Sequence, residues 1–386
     1  MQTSQAFIPF ARPDTGEDEI EAVARVLRSG WLSTGPETRA FETEFAEFLG
    51  GDLHAIAVNS ATAALHLALE AIGIGPGDEV IAPTLTFTAT VEVARYLGAD
   101  AVLVDVDPVT LNMDPARIEA AITPRTKAIL PVHYSGLACD MDAIFAIAKR
   151  HDIQVIEDAA HALPSTYKGR TIGQLGSAAS AFSFYANKTM TTAEGGMIVT
   201  RDADLAARMR VMRLHGISRD VFDRFHSTTP GWYYEIIAPG FKYNMPDISG
   251  ALGRVQLRRL PGFLARRQQM AARYLKELSG LPLILPADAP AGEKHAWHMF
   301  VLRLSDAAKR SRDEVIQALS DAGIGTSVHY LPLHRQPYWR DRYGLRPEQF
   351  PVADLAYQRM LSIPLYTAMS DDDQARVIAA LHQILG

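Results

Sequence analysis

GRTIGQLGSAASAFSFYANKTMTTAEGG, residues 169 to 196, decides how the rest of the chain is read. Between Thr171 and Ala193 its only charged residue is Lys188. ASAFSF, residues 179 to 184, reads as a short buried strand, and GMIVT, residues 196 to 200, reads as its neighbour. Lys188 is then on the loop between two core strands. An ammonium there is partly desolvated, which lowers its pKa and frees the amine to attack a carbonyl. The alternative is a loop lysine whose stem covers apolar surface while its head stays in water.

Outward from this stretch, short apolar strands alternate with helices, the signature of a parallel sheet with crossovers. The strands are expected at 54–58, 79–82, 101–106, 128–132 and 154–158, followed by the pair already described. Two amphipathic helices, 17–28 and 36–49, precede them and flank the loop GWLSTGP at 30–36. In open parallel sheets ligands bind beyond the carboxyl ends of the strands. That rule gathers Asn59, Ser60, Ala61 and Thr62 at a helix start, Phe87 in TLTFTAT, His133 and Tyr134, Asp158 and His161, and Ser183 and Lys188. An anion seat, an aromatic plate, a carboxylate, an imidazole and a low-pKa lysine would together hold a phosphorylated pyridine aldehyde.

The remainder reads as α+β. Past Arg201 a helix is expected to about Leu214, then a polar loop from His215 to about Gly231. Asp247 looks like the N-cap of a long helix running toward Gly280, kinked at Pro261, with Arg258, Arg259, Arg266 and Arg267 on a solvated face. The domain boundary is placed at that kink, giving 1–260 as the large domain with its N-terminal arm and 261–386 as a smaller α+β domain. Strands at 298–304 and 324–330 and helices at 312–322 and 370–385 complete the reading.

Composition narrows the class. The chain has 386 residues, 48% hydrophobic and 21% charged, which suits globular domains and excludes disordered and fibrous classes. A net charge of -6 offers no field to gather nucleic acid or an anionic membrane, so the partner is expected to be small. One cysteine, Cys139, allows neither an internal disulfide nor a cysteine-built metal site. The N-terminal MQTSQAFIPFARP has no signal-peptide pattern, and a cytoplasmic location is expected. A plain dinucleotide-binding fold lacks support because no GxGxxG follows the first strand. His295 and His298 would face opposite sides of a strand, so no metal is expected there.

Each candidate also has a structural alternative. Asp158 could cap the turn AAHA. His161 could be a structural histidine in that turn, Thr62 and Ser183 plain caps, Phe87 a core aromatic, and His329 an ordinary strand end. As a set, Lys188 would supply an amine to the cofactor aldehyde, and Asp158 would keep the pyridine nitrogen protonated. Ala61, Thr62 and Ser183 would cradle the phosphate. His161 would contact the ring oxygen or cover its face, with Phe87 stacking. Thr34, His215 and His329 are candidates for holding substrate.

The runs NSATAALHLAL, GDEVIAPTLTFTAT, VDVDPVTLNMDP, AAITPRTKAILPVHYSG, IEDAAHA and FSFYANKTMTTAEGGMIVT resemble the DegT/DnrJ/EryC1/StrS sugar aminotransferases, as do GWLSTGP, PGFKYNMPDISGALGRVQL, HAWHMF and IGTSVHY. The resemblance covers nearly the whole chain. Within the family, DAAHA, TPRTKAI and FKYN are similar to runs in the branch that forms UDP-4-amino-4-deoxy-L-arabinose. It implies the fold-type I, aspartate aminotransferase-like architecture, pyridoxal 5'-phosphate with a pyridoxamine phosphate form, and a homodimer with shared active sites. Lys188 is implied as the Schiff-base lysine and Asp158 as the pyridine partner, while Asn244 would reach the phosphate from the neighbouring subunit. L-Glutamate and a nucleotide-linked 4-keto sugar are the implied substrates; a 3-keto sugar, a cyclitol ketone, or cofactor binding without turnover are the alternatives. Family members that dehydrate carry histidine in place of the lysine, so Lys188 points to transfer. Pro164, where many relatives have glycine, and Tyr185, where histidine is common, depart from the family pattern.

Overall fold

The computed structural model describes residues 6–218 and 234–386. Its main sheet has seven strands: β1 (His54–Val58), β2 (Glu79–Pro83), β3 (Asp100–Val104), β4 (Thr126–Ile129), β5 (Gln154–Asp158), and then, past the small hairpin β6 (Thr166–Tyr167) and β7 (Arg170–Thr171), β8 (Ala179–Ser183) and β9 (Gly196–Thr200). They lie in the order β1-β9-β8-β5-β4-β2-β3. Neighbours from β3 to β8 are parallel, whereas β9 runs antiparallel to both β8 and β1. The sheet is therefore mixed rather than parallel throughout. The reason is the length of the Lys188 loop, which turns the chain straight back and leaves no room for a crossover helix.

Both faces of the sheet are buried. Along β8, Phe182 packs into one cluster with Phe41, Phe45 and Met197, while Ala179 and Ala181 pack into the other with Leu65, Leu67 and Ile198. That alternation explains why β8 and β9 read as continuous apolar runs. Phe41 and Phe45 come from the helix Pro36–Leu49, and the Leu65 side is the helix Ala61–Ala71.

The helix Asp247–Glu277 links the main sheet to the C-terminal part. It continues through Pro261. Leu257, Leu260 and Phe263 pack with the main-sheet cluster, and from Met270 onward the helix packs with the C-terminal one. Asp247 is not its N-cap: Pro246 holds that position. The Asp247 carboxylate instead accepts from the N–H groups of Gly35 (2.7 Å), Glu37 (3.1 Å) and Thr38 (3.0 Å), capping the Pro36–Leu49 helix from 209 or more residues away. The arginines are also not one solvated face. Arg258 is exposed, Arg259 pairs with Asp14 and Glu19, and Arg266 pairs with Asp371. Arg267 is buried and donates to the carbonyls of Trp297, His298 and Leu365. Backbone acceptors take the place of water around that guanidinium.

In the C-terminal part, β10 (Leu283–Ile284), β11 (Phe300–Leu304) and β12 (Met360–Ile363) form an antiparallel sheet. The helices Arg312–Asp321 and Asp371–Leu385 pack on it through Val315, Leu319, Val377 and Leu381. The strand expected at 324–330 is absent. Ile324 makes a single bridge to Ile8, Ser327 one to Ser362, and the segment then leads His329 and Tyr330 to the main-sheet cavity. Ile8 also joins the C-terminal cluster, so the N-terminal arm crosses to that side. Among the described residues no helix is long and apolar enough to cross a membrane.

Candidate active site

Strand register brings the candidate residues to one edge. Asp158 lies opposite Ala181, Ser183 opposite Gly196, and Gly196 opposite Val58, so β5, β8 and β1 end where β9 begins. The helix Ala61–Ala71 starts directly after β1 and is capped by Ser60, whose Oγ accepts from Ala63 N–H at 3.1 Å. A Cβ on Gly196 would lie 2.6 Å from the Ser60 carbonyl carbon and 2.8 Å from the Ala61 nitrogen. Only glycine lets β9 start against that helix end. The first N–H groups of the helix, Ala61 and Thr62, have no partner within it.

These elements enclose a cavity of about 440 Å³, within the range of small-molecule sites. Ala61, Thr62, Phe87, Asp158, His161, Ser183, Lys188 and His329 all line it, together with Tyr185, Asn187, Glu194 and Tyr330.

Asp158 is buried, with one carboxylate oxygen accepting from Thr90 Oγ at 2.7 Å and the other from Ala160 N–H at 3.1 Å. Because Thr90 donates to Asp158, its oxygen accepts from Thr86, 2.7 Å away. Burial pushes the Asp158 carboxyl above its usual value, against the pull of Thr90, the Ala160 amide and the Lys188 charge. Burial lowers Lys188 to about 8, and Asp158 opposes that shift. Lys188 Nζ lies 3.4 Å from His298 Nε2.

His161 Nδ1 accepts from Ser135 N–H at 3.3 Å, which leaves the ring proton on Nε2 to donate to the Tyr330 oxygen at 3.1 Å. The Tyr330 hydroxyl proton is then available to the cavity. Burial, and after it the Lys188 charge, hold His161 well below the usual histidine range. His329 Nδ1 meets Ser362 Oγ at 2.8 Å, and burial, then Lys188, bring it down to about 4. Phe87 is 56% exposed, with its ring centroid 5.9 Å from that of Tyr330. It is a mouth residue, not a core aromatic.

Three candidates do not line the cavity of this chain. Asn244 Nδ2 donates to Thr34 Oγ at 2.7 Å, and Thr34 donates to the Met245 carbonyl at 2.6 Å, forming a pair of their own. His215 is exposed and its N–H bonds the Phe241 carbonyl. The polar loop read from His215 to Gly231 lies mostly outside the described residues. His133, gathered by the strand-end rule, is fully buried against Glu157 at 2.9 Å and is not among the residues that line the cavity. His295 stacks on Trp297 at 3.8 Å, apart from His298.

Sequence reasoning misses Tyr330 and Asn187, which line the cavity, and Thr90 and His298, which bond to its Asp158 and Lys188. Thr90 sits three residues beyond Phe87 and Tyr330 beside His329, which is the only local signal either carried.

A phosphorylated pyridine aldehyde fits this donor set. The Ala61 and Thr62 amides with the Ser183 hydroxyl match a phosphate, Asp158 a ring nitrogen, and Lys188 an aldehyde. Among the described residues, the buried Asn187 Oδ1 and His298 Nδ1 also lack partners.

The comparisons with known proteins agree. Residues 13–382 match the model of the DegT/DnrJ/EryC1/StrS aminotransferase family. The chain is 48% identical over 387 residues to the spore coat polysaccharide biosynthesis protein SpsC of Bacillus subtilis, covering 100% of this chain and 99% of SpsC. It superposes on Spr1654 of Streptococcus pneumoniae in its PMP form with a TM-score of 0.92, 35% identity and 98% of both chains covered; the PLP form gives 0.90. The sugar aminotransferase CalS13 of Micromonospora echinospora matches at 0.86, with 32% identity over 97% of this chain and 99% of CalS13. The chain belongs to the DegT/DnrJ/EryC1/StrS family and is a pyridoxal phosphate-dependent sugar aminotransferase of the fold-type I class.

Proposed function

We propose that this enzyme moves the amino group of L-glutamate onto a nucleotide-linked keto sugar, at C4, with Lys188 and Asp158 as the central pair. The observation that carries the site assignment is that one partly desolvated amine and one buried carboxylate line the same cavity as a free helix N-terminus.

Bound pyridoxal phosphate supplies an electron sink for the bond broken at the donor carbon. Lys188 would hold the cofactor aldehyde carbon, and its freed Nζ would take the donor Cα proton and return it. Asp158, fixed by Thr90 and the Ala160 amide, keeps the facing ring nitrogen protonated. Ala61, Thr62 and Ser183 bind the phosphate, and His161 and Phe87 border the ring. His329 lines this cavity, which supports its reading as a substrate contact. Thr34 and His215 stay candidates for substrate, and Asn244 for the phosphate of a partner subunit. A homodimer with shared sites would account for their lying outside the cavity of their own chain.

Two points support a nucleotide-linked substrate. SpsC carries a name in polysaccharide biosynthesis, and polysaccharides are assembled from activated sugars. The C4 position is supported by the runs shared with the UDP-4-amino-4-deoxy-L-arabinose branch. A cytoplasmic location suits a buried, unpaired Cys139. The division into domains 1–260 and 261–386 accords with the change of core cluster along the Asp247–Glu277 helix.

The test is a panel of nucleotide-linked keto sugars incubated with the enzyme and L-glutamate, with products read by NMR. Amination at C4 is expected. Amination at C3, or of a cyclitol ketone, would replace the substrate assignment. A cofactor spectrum that L-glutamate cannot convert to the pyridoxamine form would mean binding without turnover.

A further inference from the structure

The proposed chemistry leaves His298 without a task, although it lies against the reactive amine. Its side chain is 5% exposed, with Nε2 3.4 Å from Lys188 Nζ. The other ring nitrogen, Nδ1, is buried and has no hydrogen-bond partner among the described residues. Its backbone is fixed independently, N–H to the Ser135 carbonyl at 3.0 Å and carbonyl to Arg267 at 3.3 Å. The His161 ring lies against it, centroids 4.5 Å apart.

Burial above all keeps this imidazole neutral, and the Arg267 charge acts in the same direction. A neutral ring carries one proton, and the orphaned nitrogen decides where. On Nδ1 it would make a buried N–H with nothing to accept it, and orphaned buried N–H groups are rarer than bare acceptors. The proton therefore sits on Nε2, aimed at Nζ. An ammonium has no lone pair to receive it, whereas a neutral amine has one.

We propose that His298 is a positioning residue: its Nε2–H donates to the Nζ lone pair and holds unlinked Lys188 at the cavity wall as a free amine. Each turnover releases Lys188 from the cofactor, and an amine then kept neutral is ready to take a proton and to re-form its bond. The groups that face this pair are Asp158 at the end of β5 and His161 just after it, His329 and Tyr330 from the 324–330 segment, and Arg267 from the Asp247–Glu277 helix. Of these, Asp158 favours the ammonium, and His298 works against it.

The inference rests on Lys188 being the reactive amine, and it is tested where the two can be told apart. In full-length protein cleared of cofactor and labelled with ¹⁵N-histidine, with the His298 signals identified by their loss in His298→Gln, the ring should show a proton on Nε2 and a bare Nδ1. With the spectra taken at about pH 9.5, above the value of about 8 for Lys188, a proton on Nδ1 or a doubly protonated ring overturns the proposal. The second readout is acetylation of Lys188 by acetic anhydride across pH, followed by mass spectrometry. His298→Leu removes the donor and still excludes water, so labelling at pH 7 should fall by roughly two- to tenfold, as one hydrogen bond to the neutral form requires. His298→Gln, whose amide N–H can donate, should stay within about twofold. A leucine variant that labels as fast as the parent, or a glutamine variant that falls with it, shows that the ring only fills space. If the parent protein fails to link cofactor to Lys188, the reading of the reactive amine fails, while the ring tautomer is still read.

Discussion

Asp158 and Phe87 line the same cavity and are built on opposite terms. Asp158 is 6% exposed and each of its oxygens has a donor within the chain; Phe87 is 56% exposed, and Tyr185, another lining residue, is 49% exposed. The floor, made of Asp158, His161 and Lys188, is completed by its own strands and their loops. The mouth is not, and Asn244 with Thr34 stands outside it. The contrast separates chemistry from recognition: groups whose protonation the chemistry depends on are buried and partnered, whereas groups that meet substrate are left open.

Substitutions can break that contrast, and the largest effect is expected at the floor. Lys188→Ala should lower turnover by about 10⁴-fold or more and abolish the absorbance of the lysine-linked cofactor. Near-normal turnover would end the assignment. Asp158→Asn should retain cofactor while slowing the glutamate half-reaction on the order of a thousandfold, because the amide cannot keep the ring nitrogen charged. Single-turnover absorbance reads that step. Thr90→Val removes one donor from a buried carboxylate and should cost roughly tenfold or more in the same half-reaction.

The floor also predicts a pH dependence. With Lys188 lowered to about 8 by burial, only its neutral form captures the cofactor aldehyde. Capture by cofactor-free protein should therefore rise about tenfold per pH unit below that value and flatten above it. Stopped-flow absorbance would show the bend, and a rate still climbing steadily past pH 10 would contradict a lowered lysine. At the mouth, Phe87→Ala should change the sugar KM by about two- to fivefold and leave the glutamate half-reaction within about twofold, as expected for a half-exposed contact. An effect of equal size on both would place Phe87 with the floor.

Much of the floor was legible in the sequence because it follows from local pattern. Residues 179–200 announced two strands with a lone lysine between them, and strand ends at Val58, Asp158 and Ser183 follow from apolar runs whose register the sheet then aligns. What escaped depends on distant partners. The cap that Asp247 supplies to Thr38 spans 209 residues. Arg267 looked solvated because nothing in an arginine-rich helix reveals three backbone carbonyls waiting for it. The 324–330 segment has strand composition, yet it has partners only at single bridges and spends its end on the cavity. The reversal of β9 was similarly hidden, since an apolar run of five residues does not state its direction. Strand alternation already sets His298 apart from His295, but only the fold sets it beside Lys188.

The most direct measurement fixes the cofactor in place with borohydride, digests the protein and maps the pyridoxyl group by mass spectrometry. The account predicts that the added mass falls on the peptide containing Lys188 and that Lys188→Ala carries none. A pyridoxyl group on any other lysine of the native enzyme would contradict it.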